Sequence, residues 1–257
     1  MSTCLYEQPG SVFSGTPREK AGQLMRMFTD PEIREIYDIS GGDLANQILD
    51  ELDYGAIAAS GATFWGYSDL TTVINAIYTM TGKAGVLYQV RFLATGDAQN
   101  LQRQRFQNRQ ELFSPTFTFA QGSALHGILV GGNIRCFLKL AGTRYFPSLE
   151  GRILLLEAFG GKVPQMATYL AQLKQLGAFE KVSGIILGTF TVMEQNHCVP
   201  DILTLVREYA HPNTPIAVTR EIGHGDDAKA VVIGKELEIR EGQGCICQWK
   251  DVAGLDL

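Results

Sequence analysis

Two aliphatic runs, Ile153-Leu154-Leu155-Leu156 and Ile185-Ile186-Leu187, constrain the fold of this chain more than any other feature. A strand that is apolar at every position offers water no face. It must be covered on both sides, as strands inside a parallel sheet are. Between the two runs, Pro164–Leu176 carries apolar residues at helical spacing and stops at Gly177, a residue suited to a helix C-terminus. The front half alternates in the same way. Ile36–Ile39 reads as a strand, Ser40-Gly41-Gly42-Asp43 as the turn after it, and Leu44, Ile48, Leu49 and Leu52 recur at helical spacing. Ala62-Thr63-Phe64-Trp65 is the next strand, and Leu70–Ile77 is again helical. Strands alternating with helices predict an α/β fold on parallel sheets, with functional groups at the carboxyl ends of the strands. The Gly41-Gly42 turn and the turn at Ser68 therefore belong on one sheet edge.

Thr16-Pro17-Arg18-Glu19 opens a helix with a capping pattern, and its apolar side carries Leu24, Met25 and Phe28. Asp30-Pro31-Glu32 reads as a further short turn of helix. Gln99–Glu111, rich in glutamine and arginine, reads as one solvated helix, with a basic binding helix as the alternative. Beyond it the texture changes. Pro115–Phe119 and Ile128–Val130 read as strands, with Gly131-Gly132-Asn133 and the apolar segment Ile134–Leu140 following. Gly151–Glu157, Gly184–Val192 and Ile216–Ile222 are strands, Pro200–Tyr209 is a helix, and Val231–Ile239 with Gly244–Trp249 forms a closing antiparallel pair. This change predicts two domains: residues 1–113, an N-terminal parallel-sheet, Rossmann-like domain, and residues 114–257, a β-rich α/β domain.

With 257 residues, 45% of them hydrophobic and 19% charged, the chain can bury such cores and is too apolar for disorder. A net charge of -5 without a basic block argues against nucleic acid or an anionic membrane as a partner. Cys4, Cys136, Cys198, Cys245 and Cys247 form neither a CxxC pair nor an even framework, so they read as thiols in a reducing compartment. Cys245 and Cys247 would face one side of a strand, a weak metal pattern with no histidine nearby. Met1–Gly10 lacks a signal-peptide pattern, and no apolar run reaches membrane-spanning length, which makes the cytoplasm the expected location.

The chemistry points to three residues. In Phe64-Trp65-Gly66-Tyr67-Ser68-Asp69-Leu70, a strand turns sharply through glycine and serine into a helix. Such an elbow lifts a serine hydroxyl above the sheet, with the first peptide NH groups of the helix where an oxyanion would form. A serine that only caps a helix has the same local pattern. Glu157 ends an aliphatic strand, where a carboxylate needs a partner; that partner is His224 in a catalytic reading and Arg152 or Lys162 in a structural one. His224 follows a strand between Gly223 and Gly225, either as a placed ring or as part of a turn. His197 and His211 lie in polar loops, and His126 begins a strand. Serine, glutamate and histidine make a nucleophile, an orienting carboxylate and a base, in that chain order.

The motifs Phe64–Thr71, Leu149–Glu157, Gly184–Phe190 and Gly223-His224 occur in the order seen in LD-carboxypeptidases, a serine-peptidase family. Asp30–Ile33, Gly41-Gly42, Leu52-Asp53-Tyr54, Gly131-Gly132-Asn133, Leu140–Thr143 and Leu173–Gly177 match its intervening landmarks, so the chain resembles that family from about residue 15 to 240. The family includes muramoyl-tetrapeptide carboxypeptidases and microcin C immunity peptidases. The resemblance implies a triad of Ser68, Glu157 and His224, with oxyanion donors from the backbone NH of Asp69 and of Gly41 and Gly42. It also implies a cofactor-free, metal-free hydrolase of the bond between an L-centre and a terminal D-amino acid, acting on muropeptides as a cytoplasmic homodimer. Two segments depart from the family. Only Met1–Ser14 precedes the match, so the first sheet is expected to lack its first strand–helix unit. Leu87–Thr95 does not resemble the stretch that helps shape the substrate cleft. Two alternatives stand beside the main reading. One is an immunity-type amidase for peptide-nucleotides or acyl-sulfamoyl adenylates, for which Trp65, lying in a strand, is a poor nucleobase platform. The other is a catalytically silent peptide-binding relative.

Overall fold

The computed structural model of the chain describes residues 13–242 and the backbone of the strand 244–246. The strands are β1 (Glu35–Tyr37), β2 (Thr63–Gly66), β3 (Gly85–Leu87), β4 (Thr118–Gln121), β5 (Ala124–Asn133), β6 (Ile153–Ala158), β7 (Gly184–Phe190), β8 (Ile216–Val218), β9 (Val231–Ile233), β10 (Glu236–Arg240) and β11 (Gly244–Ile246). The helices that position the site are α1 (Pro17–Thr29), α2 (Tyr54–Ala59), α3 (Thr71–Thr81), α4 (Gln99–Gln107), α5 (Arg109–Leu112), α6 (Ile134–Leu138) and α7 (Val163–Gln175).

Two sheets form. The first has the order β1-β2-β3-β9, with β1, β2 and β3 parallel and β9 antiparallel. The second runs β11-β10-β5-β6-β7-β8-β4, with a parallel centre from β5 to β8 and antiparallel edges. In β6 the pleat divides the aliphatic run between two cores. Ile153 and Leu155 pack with the first sheet and α3, while Leu154 and Leu156 pack under α6 and α7 against Phe137, Met166 and Leu170. Covering both faces is what a strand with no polar position requires.

Several expected boundaries move. Val231–Ile239 is two strands, because Gly234 turns the chain with φ +87, where an added Cβ would lie 2.4 Å from the Tyr78 ring. β9 therefore returns to the first sheet while β10 joins the second, so residues from both sides of position 114 build the first sheet. Ile216–Ile222 is strand only to Val218. Asp30-Pro31-Glu32 is a turn closed by the Asp30 side chain, which accepts from the NH of Glu32, and not a turn of helix. The segment after the Gly41-Gly42 turn is a 3-10 helix, Ala45–Glu51. The strand expected at Ile128–Val130 is longer, and Gly131-Gly132-Asn133 forms the end of β5. Gln99–Glu111 breaks at Asn108, whose side chain caps α5. That segment is not uniformly solvated either, since Gln102 is fully buried.

The expected absence of an opening strand–helix unit concerns Met1–Ser14, of which residues 1–12 lie outside the described residues, as do Cys4, Cys247 and Trp249. Among the described residues no helix is long and apolar enough to cross a membrane.

Candidate active site

The carboxyl end of β2 runs straight into the elbow. A Cβ at Gly66 would lie 2.7 Å from that of Leu70, so only glycine lets the chain fold back this tightly. Ser68 sits at φ 53, a left-handed conformation that costs a non-glycine residue about 1–3 kcal/mol and is retained where the surroundings over-determine it. A 3-10 turn, Ser68–Leu70, leads into α3. Helix α3 docks on the end of β5: Asn75 exchanges hydrogen bonds with the backbone of Gly131 (2.9 and 3.0 Å), and Thr71 Oγ1 accepts from the NH of Asn133 at 3.1 Å. Asn133 is in register with Glu157 on β6. The nucleophile candidate and the carboxylate candidate are thus tied together through the backbone of the second sheet.

Glu157 is fully buried, and its Oε2 lies 2.8 Å from His224 Nδ1. The other ring nitrogen, Nε2, lies 3.3 Å from Ser68 Oγ. Neither Arg152 nor Lys162 pairs with Glu157, so the structural alternative for that carboxylate falls away. His224 keeps 11% side-chain exposure, enough to meet a ligand while its carboxylate partner is shut away from water. This arrangement can draw the serine proton onto Nε2 and hold the resulting imidazolium against a carboxylate. The other described histidines stand apart; His126 Nε2 lies 2.9 Å from Glu236 Oε1, with both side chains exposed.

These groups open into a cleft of about 740 Å³ that is also lined by Gly41, Gly42, Asn133 and Phe159. The Gly41-Gly42 turn therefore faces the same space as Ser68, as the sheet-edge argument required. Among the described residues no group of three or more His, Cys, Asp and Glu side chains is placed to hold a metal ion. The side chain of Cys245 lies outside the described residues.

Residues 3–89 match the LD-carboxypeptidase N-terminal domain and residues 126–239 the LD-carboxypeptidase C-terminal domain. The chain belongs to the LD-carboxypeptidase family. The murein tetrapeptide carboxypeptidase of Pseudomonas aeruginosa is 25% identical over 86% of this chain and 77% of its own. The microcin C7 self-immunity protein MccF of Escherichia coli is 26% identical over 68% of this chain and 61% of its own. In fold, the muramoyltetrapeptide carboxypeptidase of Oxalobacter formigenes superposes with a TM-score of 0.77 at 22% identity, covering 93% of this chain and 84% of that one.

Around the relay this LD-carboxypeptidase family member carries groups that the sequence reading did not single out. The Tyr67 hydroxyl donates to Glu157 Oε2 at 3.3 Å, and its ring meets the His224 ring edge-on with centroids 4.8 Å apart. Burial, then the Glu157 charge, hold its hydroxyl protonated well above the ordinary tyrosine range. The resemblance gives Asp69 only a backbone role, yet its side chain is a strut. Oδ2 accepts from the NH of Ala45 at 2.7 Å, and Oδ1 pairs with Lys139 at 2.5 Å. Lys139 also donates to the carbonyl of Asp43 at 2.8 Å, and Arg135 pairs with the Asp43 carboxylate. Two cations from α6 and its end thus hold the loop after Gly41-Gly42 against the elbow. Their spacing of four residues within Ile134–Leu140 was the available signal, since it puts both on one helix face.

Proposed function

We propose that this chain is a serine-type carboxypeptidase that releases the terminal D-alanine from murein tetrapeptides. The observation that carries the reading is the continuous relay from Ser68 Oγ through His224 to buried Glu157, at 3.3 and 2.8 Å. In this reading Ser68 attacks the carbonyl of the last peptide bond as His224 Nε2 takes its proton. Glu157 fixes the tautomer through Nδ1 and stabilises the imidazolium. The negative charge on the carbonyl oxygen is met by the backbone NH groups of Asp69 and of the Gly41-Gly42 turn. His224 then returns the proton to the departing amine, and D-alanine leaves. Water, deprotonated by the same imidazole, opens the acyl-serine ester and regenerates the hydroxyl.

The names of the relatives support the substrate class, and the chemistry needs no cofactor. A cytoplasmic homodimer belongs to the same reading. The test is release of D-alanine from a murein tetrapeptide by the wild-type protein and by Ser68→Ala. The variant should lose on the order of a million-fold in turnover, and a variant retaining a tenth of the activity would contradict the serine mechanism.

One observation favours a second reading. Phe159 is 56% exposed on the cleft, with its ring 5.1 Å from that of His224. It offers an aromatic face that fully buried Trp65 does not. MccF is known in complex with aspartyl sulfamoyl adenosine. An immunity-type amidase would cleave that compound in preference to the tetrapeptide, so a direct competition separates the two. Failure to hydrolyse either would favour the silent peptide-binding relative.

A further inference from the structure

We propose that Arg91 is the anchor for the terminal carboxylate of the substrate. The inference rests on the carboxypeptidase reading and adds to it the group that restricts cleavage to the last residue of a peptide.

The cleft carries charged groups of both signs. Its lining contains two cations, Arg91 and Arg135, and two carboxylates, Asp38 and Asp43. Arg135 is committed, because it pairs with Asp43 and donates to the carbonyl of Gly42. Asp38 accepts from the NH of Ser40 within its own turn. Arg91 makes no side-chain hydrogen bond or ion pair among the described residues, so of the two cations it is the one left free for a ligand.

Its position is set by the sheet. Leu87 is in register with Gly66, and the NH of Tyr88 donates to the carbonyl of Gly66 at 2.9 Å. The chain leaving β3 therefore starts beside the elbow, and Gln89, Val90 and Arg91 line the same cleft as Ser68 and His224. This turn is also braced from below. The Tyr88 hydroxyl donates to Gln102 Oε1 at 2.7 Å, and Gln102 Nε2 donates to the carbonyls of Asp226 and Ala228 at 2.7 and 2.9 Å. Asp226 is two residues past His224. One buried glutamine thus links the turn that carries Arg91 to the loop that presents the imidazole, so the backbone of the one is set against the other. A planar guanidinium matches a carboxylate through two parallel hydrogen bonds, which a lysine cannot reproduce. The match to the LD-carboxypeptidase N-terminal domain ends at residue 89, just before Arg91.

The experiment compares a murein tetrapeptide ending in free D-alanine with the same peptide carrying a C-terminal primary amide. Hydrolysis is measured for wild type, Arg91→Gln and Arg91→Lys. Binding of both peptides is measured by calorimetry to Ser68→Ala and to Ser68→Ala combined with Arg91→Gln. The expected result is a preference of at least about tenfold for the free acid in kcat/KM and in binding, collapsing to within about twofold in Arg91→Gln and partly kept in Arg91→Lys. Equal affinity for acid and amide in Ser68→Ala, or a preference that survives Arg91→Gln, overturns the inference. So does a lack of binding by either peptide. The function reading is judged separately, because it stands or falls on whether wild type releases D-alanine at all.

Discussion

Gly188→Ala places one methyl group where three functional elements meet. Gly188 lies on β7 beside Glu157, under the segment that leads to His224. An added Cβ would lie 2.4 Å from the carbonyl oxygen of Ile222 and 3.1 Å from the Cβ of Glu157. Carbon–oxygen contacts of this kind close at roughly 3.3 Å, so the carbonyl must retreat by roughly 0.9 Å. It cannot do so alone, because the NH of Thr189 holds it at 2.8 Å and His224 follows two residues later. The movement is therefore passed to an imidazole that needs 2.8 Å on one side and 3.3 Å on the other. Overpacking of this sort costs about 1–3 kcal/mol of stability, and a 1 Å misplacement at a reacting group costs about a hundredfold in rate. The assay is kcat and KM for D-alanine release, with urea unfolding on the same preparation. We expect kcat to fall about a hundredfold with KM little changed. A folded variant with wild-type kcat would refute the claim that β7 sets the position of the imidazole.

Three other outcomes follow from named contacts. Tyr67→Phe removes the hydroxyl that donates to Glu157 Oε2 and keeps the ring against His224. We expect kcat for D-alanine release to fall about tenfold with KM little changed, the loss of one hydrogen bond to a charged group; an unchanged kcat would show that this hydroxyl does not hold the carboxylate. Lys139→Met leaves the Asp69 carboxylate, 1% exposed, without its cation. We expect a loss of about 3–5 kcal/mol in urea unfolding, partly recovered by adding Asp69→Asn; an unchanged midpoint would show that the strut carries no load. Burial pushes the Tyr37 and Tyr88 hydroxyls up to about 12. Their folded forms keep the proton that the unfolded chain gives up near pH 10, so this contribution is complete below pH 10 and is lost as pH rises toward 12. Urea midpoints should fall across that window, and Tyr88→Phe should flatten the fall.

Much of the fold could be read from pattern, because aliphatic runs such as Leu154-Leu155-Leu156 leave a strand no alternative to burial on both faces. What pattern could not show was decided by partners distant in sequence. Val231–Ile239 is one apolar stretch by composition, but Tyr78 and Gly234 divide it, and its first half completes the other sheet. Gln102 reads as one more solvated glutamine until Tyr88 and the carbonyls of Asp226 and Ala228 take up its whole amide. At the site, Ser68, Glu157 and His224 stand out because Glu157 ends a strand, the other two come after one, and each is chemically conspicuous there. Tyr67 and Lys139 do not. One looks like a core aromatic and the other like a surface cation, and only their contacts with Glu157 and Asp69 reveal what they hold.

The central claim is that Ser68 is a nucleophile made reactive by His224 and Glu157. A fluorophosphonate reacts covalently with such a serine and with few others, so labelling followed by peptide mapping tests the claim directly. The wild-type protein should gain a single adduct on Ser68, and Glu157→Gln should label far more slowly, because its imidazole loses the carboxylate that fixes its tautomer. A D-alanine-releasing protein that carries no adduct on Ser68, or that labels equally fast without Glu157, would contradict the account.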